Sequence, residues 1–282
     1  MLLLCGLTLL PEAGGAELKE KTRAAFARYV EASETRNGAE LSHGNPFLWV
    51  DAQPAARREA LYRQLRQGEV VVERQETRAR IGRAAEQRIK IEDGLIHHWL
   101  GMVFIPGATL AQTLALVQDY DRHQSIYQPD VQRSKLLDRR GNVFRIYLRL
   151  YKKKIITGVL NTEHEVHYRV LDATRAVSRS WTTRIAEVED PGEPSEREKP
   201  FGHDRGLLWG LHSWWRFEEK DGGVYIQVES VSLTRDVPRG LGWLMEPFIR
   251  SVPRELLLHI LRATRAALLQ GVSTQTPGSA SP

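Results

Sequence analysis

The chain has 282 residues, of which 41% are hydrophobic and 27% charged, with a formal net charge of +5. That supplies the core of one large domain with an extension and excludes disorder over most of the length. The one cysteine, Cys5, excludes an intrachain disulfide, and no apolar run reaches the roughly 18 residues that a membrane-crossing helix needs.

In chain order, Leu2 to Leu10 is an apolar run broken by Pro11 and followed by Gly14-Gly15-Ala16. This pattern predicts a secretory signal over residues 1–16, without the charged stretch that usually opens one. Export to the periplasm is the expectation. A short apolar core helix in a cytoplasmic protein is the alternative. Glu17 to Ala32 is helix-forming, with Leu18, Ala25, Phe26, Tyr29 and Val30 near one face, and Asn37-Gly38 is expected to stop it. Asp51 is the expected N-cap of a second helix, Pro54 to Gln67, ended by Gly68. Val70 to Val72 reads as a short strand, and Arg78 to Arg88 has no clear period. Between Pro54 and Lys90 ten Arg and Lys face five Glu, which equals the whole chain's excess of +5. Such a segment is either an ordinary solvated face or a contact for an anionic membrane surface. No nucleic-acid partner is expected.

From Ile89 the pattern changes to strands. Ile96 to Ile105 is one, ended by Pro106-Gly107, and Thr109 caps a helix running to about Tyr120. Long strand-like runs follow at Val131–Leu137, Val143–Tyr151, Ile155–Val170, Ala176–Val188, Leu207–Glu218 and Val224–Arg235. Arg140-Gly141-Asn142 and Asp221-Gly222-Gly223 are hairpin turn chemistry, so the runs form an antiparallel meander. Asp190 to Gly206, with three prolines and several charges, is a surface loop, either a lid or a tolerated insertion. Glu246 to Gln270 is a long amphipathic helix, kinked at Pro253 or starting near Val252, and Gly271 is its expected stop. Val272 to Pro282 reads as a disordered tail.

Strand, helix, long meander and final helix is the order of the START-like (SRPBCC) helix-grip superfamily. The chain also resembles bacterial members of it in Phe104-Ile105-Pro106-Gly107-Ala108-Thr109-Leu110 with Gln118-Asp119-Tyr120-Asp121, and in Val228-Glu229-Ser230-Val231-Ser232-Leu233-Thr234-Arg235-Asp236-Val237-Pro238. Pro247-Phe248-Ile249 with Val252-Pro253-Arg254-Glu255 adds to the likeness, which covers roughly Lys90 to Leu269. The expected fold is α+β: a curved antiparallel β-sheet packed on a long C-terminal helix. The domain lies at 90–270, with a basic helical N-terminal extension at 17–89 and a tail at 271–282. The resemblance implies a cavity between sheet and helix that takes a hydrophobic small molecule or lipid. It also keeps open a cyclase-like enzyme on an aromatic or polyketide-like substrate. A non-catalytic interaction module with a filled cavity is a third reading.

Strand alternation proposes which residues would line that cavity. Phe144, Ile146 and Leu148 share one face of their strand; Trp209, Leu211, Trp215 and Phe217 share another. Ile226 lies on the apolar face of the last strand, whose parity seen from Ser230 onward shifts to Val231 and Leu233, so a bulge is expected there. Phe248, Val252, Leu256 and Ile260 recur at helical spacing on the closing helix, and Trp181 completes the proposed ligand-binding set. Tyr147, His164, His212 and Glu229 are polar candidates, with Tyr147 and Glu229 on the outer faces. His97-His98 and the His164, His167 pair each point to opposite faces, and no metal-ligand spacing occurs. No nucleophile elbow, phosphate loop or dinucleotide fingerprint occurs either, so the sequence assigns no catalytic residue, no metal and no cofactor.

Overall fold

A computed structural model describes residues 17–42, 44–80, 86–154, 156–200, 203–236 and 242–275, with the backbone alone at 78–80, 86–88, 242–248 and 273–275. The expected signal at 1–16, with Cys5, and the last residues of the expected tail lie outside the described residues.

The chain opens with helix α1 (Glu20–Glu40), a 3₁₀ turn at Trp49–Ala52 and helix α2 (Ala55–Arg66). Strands β1 (Val71–Arg74), β2 (Arg78–Arg80), β3 (Glu86–Arg88) and β4 (Gly94–Pro106) follow, then helices α3 (Leu110–Gln118) and α4 (His123–Ile126). The meander is β5 (Val131–Arg140), β6 (Val143–Lys153), β7 (Thr157–Val170), β8 (Arg175–Glu189), β9 (Arg197–Glu198), β10 (Gly210–Lys220) and β11 (Gly223–Arg235). Helix α5 (Gly242–Gln275) closes the fold. The order β1-β4-β11-β10-β8-β7-β6-β5, with β9 beside β8, makes one curved antiparallel sheet of nine strands, and β2 pairs with β3 separately.

Local chemistry explains some element ends. Thr109 accepts from Gln112 N–H while the Gln112 side chain accepts from Thr109 N–H, a reciprocal cap that starts α3. The turn at Asp221-Gly222 joins β10 to β11 with φ of 56° and 72°, values that suit Asp and Gly.

Several sequence expectations are corrected by tertiary contacts. Helix α1 runs through Asn37-Gly38 to Glu40 because Asn37 is buried and bonds Glu229 and Arg216. Asp51 does not cap α2; Pro54 takes that position, and Asp51 accepts instead from Tyr62 Oη and from Lys220 (3.2 Å). Helix α5 is continuous through Pro253 and runs beyond Gly271, and Val272 packs on the core. The 190–206 segment folds back as β9 on β8. Its Glu196 binds the Arg149 guanidinium through two bonds of 2.9 Å, and Glu198 accepts from Asn161 (2.8 Å). Arg149 and Asn161 project from the face of the sheet opposite α5, so these contacts hold the segment away from that helix.

Both faces of the sheet are covered over β4, β11 and β10. The concave face meets α5, α3 and α4; the convex face meets α1, the 3₁₀ turn and α2. This explains the parity of β11. Its register with β10 and with β4 is continuous, with no bulge. Val224, Ile226 and Val228 pack on the concave side, while Val231 and Leu233 pack under Phe26, Tyr29 and Val30 of α1 on the convex side. The apolar residues change face because each face is apolar only where a helix packs on it.

Helix α5 grips unevenly. One stripe of it presses Leu257, Leu261 and Leu268 into the core with Val103, Ile105, Phe217 and Ile226. Gly101 on β4 permits this approach, since a Cβ there would lie 2.5 Å from Leu261 Cδ1. A neighbouring stripe carries Ile249, Val252, Leu256 and Ile260 across space that the sheet does not fill.

Candidate functional site

That space consists of two adjoining chambers of about 160 and 150 Å³. Leu150, Leu211, Ser213, Trp215, Leu256 and Ile260 border both, so the two are one trough along the concave face.

The trough exists because its floor is built from small side chains. Ser213 on β10 lies directly across from Ser180 on β8 and from Ser230 on β11, which makes a row of three serines across three adjacent strands. Ser178, Ser232 and Thr234 extend this small polar floor. Ser213 Oγ accepts from Trp215 Nε1 (3.3 Å). The hydroxyls of Ser180, Ser230 and Ser232 have no hydrogen-bond partner among the described residues.

The walls are apolar. Leu150, Leu160, Leu207, Leu208 and Leu211 border the first chamber under Ile249, Val252 and Leu256. Its rim is charged: Lys152 Nζ donates to both oxygens of the buried Asp130 (3.0 and 3.1 Å), and Lys154 pairs with Glu255 on α5 (2.6 Å). The second chamber is more polar. Tyr120 and Tyr168 share a hydroxyl hydrogen bond of 2.8 Å, and the Tyr127 hydroxyl lies 3.1 Å from Thr264 Oγ1. Burial pushes the Tyr127 hydroxyl up to about 12. His164 Nε2 contacts Thr162 Oγ1 at 2.9 Å, and burial pushes its pKa down to about 4. Burial does the same to His123, also to about 4, so both imidazoles are neutral at pH 7.

Of the residues that alternation proposed, Ile146, Leu148, Leu211, Trp215, Val252, Leu256 and Ile260 border the trough. Phe144 lies beside it in a cluster with Tyr120, Ile146 and Val166. Phe217 and Ile226 lie in the filled end of the concave face, where α5 approaches the sheet most closely. Trp181 is on the convex face, stacked with the Arg179 guanidinium at 4.6 Å, because its strand parity puts Ser178 and Ser180 on the trough side. Trp209 precedes β10, donates to Asp204 (3.2 Å) and packs toward α1. The Phe248 side chain lies outside the described residues. Tyr147 and Glu229 are on the convex face; His212 is there too, against Phe26 and Trp214, whereas His164 faces the trough. Alternation missed the serine floor. Its signal was present as Ser178/Ser180 and Ser230/Ser232 at two-residue spacing, polar positions that look solvent-facing until both sheet faces are known to be covered.

The convex face carries a buried polar network instead of a cavity. The Tyr29 hydroxyl accepts from Thr77 N–H (2.7 Å) and lies 2.8 Å from His98 Nδ1. His98 Nε2 lies 2.7 Å from Glu229 Oε1, and Asn37 donates to Glu229 Oε2 at 3.2 Å. Arg36 pairs with the same carboxylate. One proton arrangement satisfies the chain: Tyr29 donates to Nδ1, and Nε2–H donates to Glu229. Burial raises the Glu229 carboxyl, but the His98 hydrogen bond and the Arg36 charge outweigh it and hold the group near 2. No group of metal-binding side chains occurs among the described residues. No described helix is long and apolar enough to cross a membrane.

A curved antiparallel sheet gripping a long C-terminal helix, with a trough between them, defines a helix-grip fold. No family model matches the sequence, and neither does any curated protein. Among solved structures, the chain is similar to a STAR-related lipid transfer protein from Xanthomonas axonopodis, with 16% identity over 64% of this chain and 95% of that one, at a TM-score of 0.42. It is similar to the Zhui aromatase/cyclase from Streptomyces sp. R1128, with 12% identity over 67% and 100% of the two chains, at a TM-score of 0.42. Human STARD10 has 10% identity over 80% and 85%, also at 0.42.

Proposed function

We propose that this protein binds a hydrophobic small molecule or lipid in the trough between the sheet and α5. The observation that carries the reading is the trough itself: apolar walls, and a floor of serines too short to meet the helix. A folded core normally closes such space by packing larger side chains. The chambers together reach only the lower end of the roughly 300–1,000 Å³ usual for small-molecule sites, so the ligand is compact. The partnerless hydroxyls of Ser180, Ser230 and Ser232 favour a ligand that is apolar overall and carries oxygen along its body.

Proton-transfer chemistry is less well served. A general base works best with a pKa near the working pH. His123 and His164 are held near 4, which makes them weak proton acceptors at neutral pH. Binding without turnover is therefore the better fit. A contact between an anionic membrane surface and the basic 54–90 segment is part of the same proposal, supported by exposed Arg63 on α2, where Arg57 and Arg66 pair with Glu73 and Asp221. Co-sedimentation with vesicles of neutral or anionic phospholipid tests it, and binding indifferent to lipid charge and salt would remove it.

The test of the main reading is mass spectrometry of solvent extracts from the purified protein, followed by titration with fatty acids, sterols and hopanoids. A stoichiometric apolar compound, or saturable binding of one class, is expected. A protein that purifies empty and ignores the whole panel would sink the proposal.

A further inference from the structure

The convex face holds a second concavity, whose lining shares Tyr168, Ser178 and Trp215 with the second chamber of the trough. It is a groove of about 450 Å³ between α1 and strands β7, β8 and β10. From α1 it takes Glu34, Gly38 and Leu41, which share one stripe of the helix by their spacing of four and three. Gly38 is at the centre of that stripe, and a Cβ placed on it would meet nothing within 4 Å. A glycine within a helix costs about 1 kcal/mol against alanine, and here its effect is to leave the groove open.

The floor is rich in unsatisfied donors. Arg179 on β8 and Trp214 on β10 are directly paired across the strands. Each has a buried side-chain N–H, Arg179 Nε and Trp214 Nε1, with no partner among the described residues. Trp214 is 7% exposed, so bulk water does not readily serve it. Such a buried unpaired donor costs roughly 1–3 kcal/mol. Arg179 donates from Nη2 to Glu34 at 2.8 Å. On β7, Arg169 is exposed, and its guanidinium has no ion-pair partner among the described residues. Arg216, by contrast, is satisfied by Phe47 O (2.8 Å), Asn37 Oδ1 (2.7 Å) and Glu40.

We propose that this groove is a second binding site, for a small organic anion with a flat apolar body. The anionic group meets Arg169 and Arg179, and the body lies along Trp214 beneath Gly38. The exposed, unpaired Arg169 guanidinium beside Arg179 calls for an acceptor with negative charge. The indole and the absent side chain at Gly38 leave room for a flat group.

The experiment is calorimetric titration with naphthoate and, as a neutral control, naphthyl methanol. Wild type is compared with Arg169→Ala, Gly38→Leu and the trough-filling variant Ser230→Leu. Naphthoate is expected to bind one-to-one and about tenfold or more tighter than the alcohol, the factor expected for one charge-assisted hydrogen bond. Arg169→Ala and Gly38→Leu should each weaken it by about tenfold, and Ser230→Leu should leave it unchanged. Arg169 is exposed, so its variant reports on the site even where Gly38→Leu disturbs α1. No naphthoate binding, equal binding of the alcohol, or loss of binding in Ser230→Leu alone would overturn the proposal.

Discussion

Ser213 and Ser230 face each other across β10 and β11 on the concave side of the sheet, where α5 passes without touching the floor. Two leucines at this pair would close the first chamber. Overpacking a filled core usually costs 1–3 kcal/mol, but here the added methylenes enter vacant space. Ser230→Leu should therefore keep its unfolding free energy within about 1 kcal/mol of wild type. A urea titration checks this; a larger loss would mean that the floor is already packed.

Glu229 is the centre of the contacts that fix α1 to the sheet. Removing one partner of a buried ion pair leaves the others uncompensated, at a cost of roughly 3–5 kcal/mol. Glu229→Ala should lose stability on that scale, whereas Glu165→Ala, a half-exposed carboxylate on β7, should change it little. Equal effects of the two in chemical denaturation would contradict the network.

The depressed Glu229 carboxyl also sets a pH window. Its folded value of about 2 lies below the ordinary 4.5, so its stabilisation is present above pH 4.5 and is lost as pH falls through about 2. Glu229→Gln should flatten the stability curve over that interval. An unchanged acid limb in the variant would assign the effect elsewhere.

His123 and His164 act at higher pH. Each is neutral in the fold, with a value near 4 against an ordinary 6.5. The unfolded chain takes up the proton first, so stability falls as pH drops from about 6.5 towards 4 and then levels off for these groups. His164→Leu should reduce that loss, by up to about 3 kcal/mol for a fully buried group. Thermal midpoints at several pH values test it, and a wild-type midpoint flat across this range would refute it.

Two glycines should respond in opposite directions. Gly101→Ala puts a Cβ against Leu261 and Leu257 and should destabilise by about 1–3 kcal/mol. Gly38→Ala meets open space within a helix and should stabilise by about 0.5–1 kcal/mol. Differential scanning calorimetry of both variants distinguishes them, and the same sign for both would be the contrary result.

The architecture was largely legible in the sequence, and the residues show why. The alternation of Phe144, Ile146 and Leu148, the turn at Asp221-Gly222 and the cap at Thr109 are local signals that the fold leaves intact. The misreadings came from partners distant in sequence. Asn37-Gly38 reads as a helix stop until Glu229 and Arg216 are seen to hold Asn37. Val231 and Leu233 read as a bulge because nothing in the strand announces that α1 covers its other face. The trough was legible in its walls, Leu211, Trp215 and Leu256, but not in its floor. A serine in a strand signals solvent exposure far more often than a cavity.

The most direct measurement is the binding of a neutral apolar fluorophore, phenylnaphthylamine, to wild type and Ser230→Leu. One saturable site in wild type, displaced by the ligand that co-purifies and absent from a folded Ser230→Leu, is the predicted result. Equal binding by both proteins, or none by wild type, would contradict a ligand site between the sheet and α5.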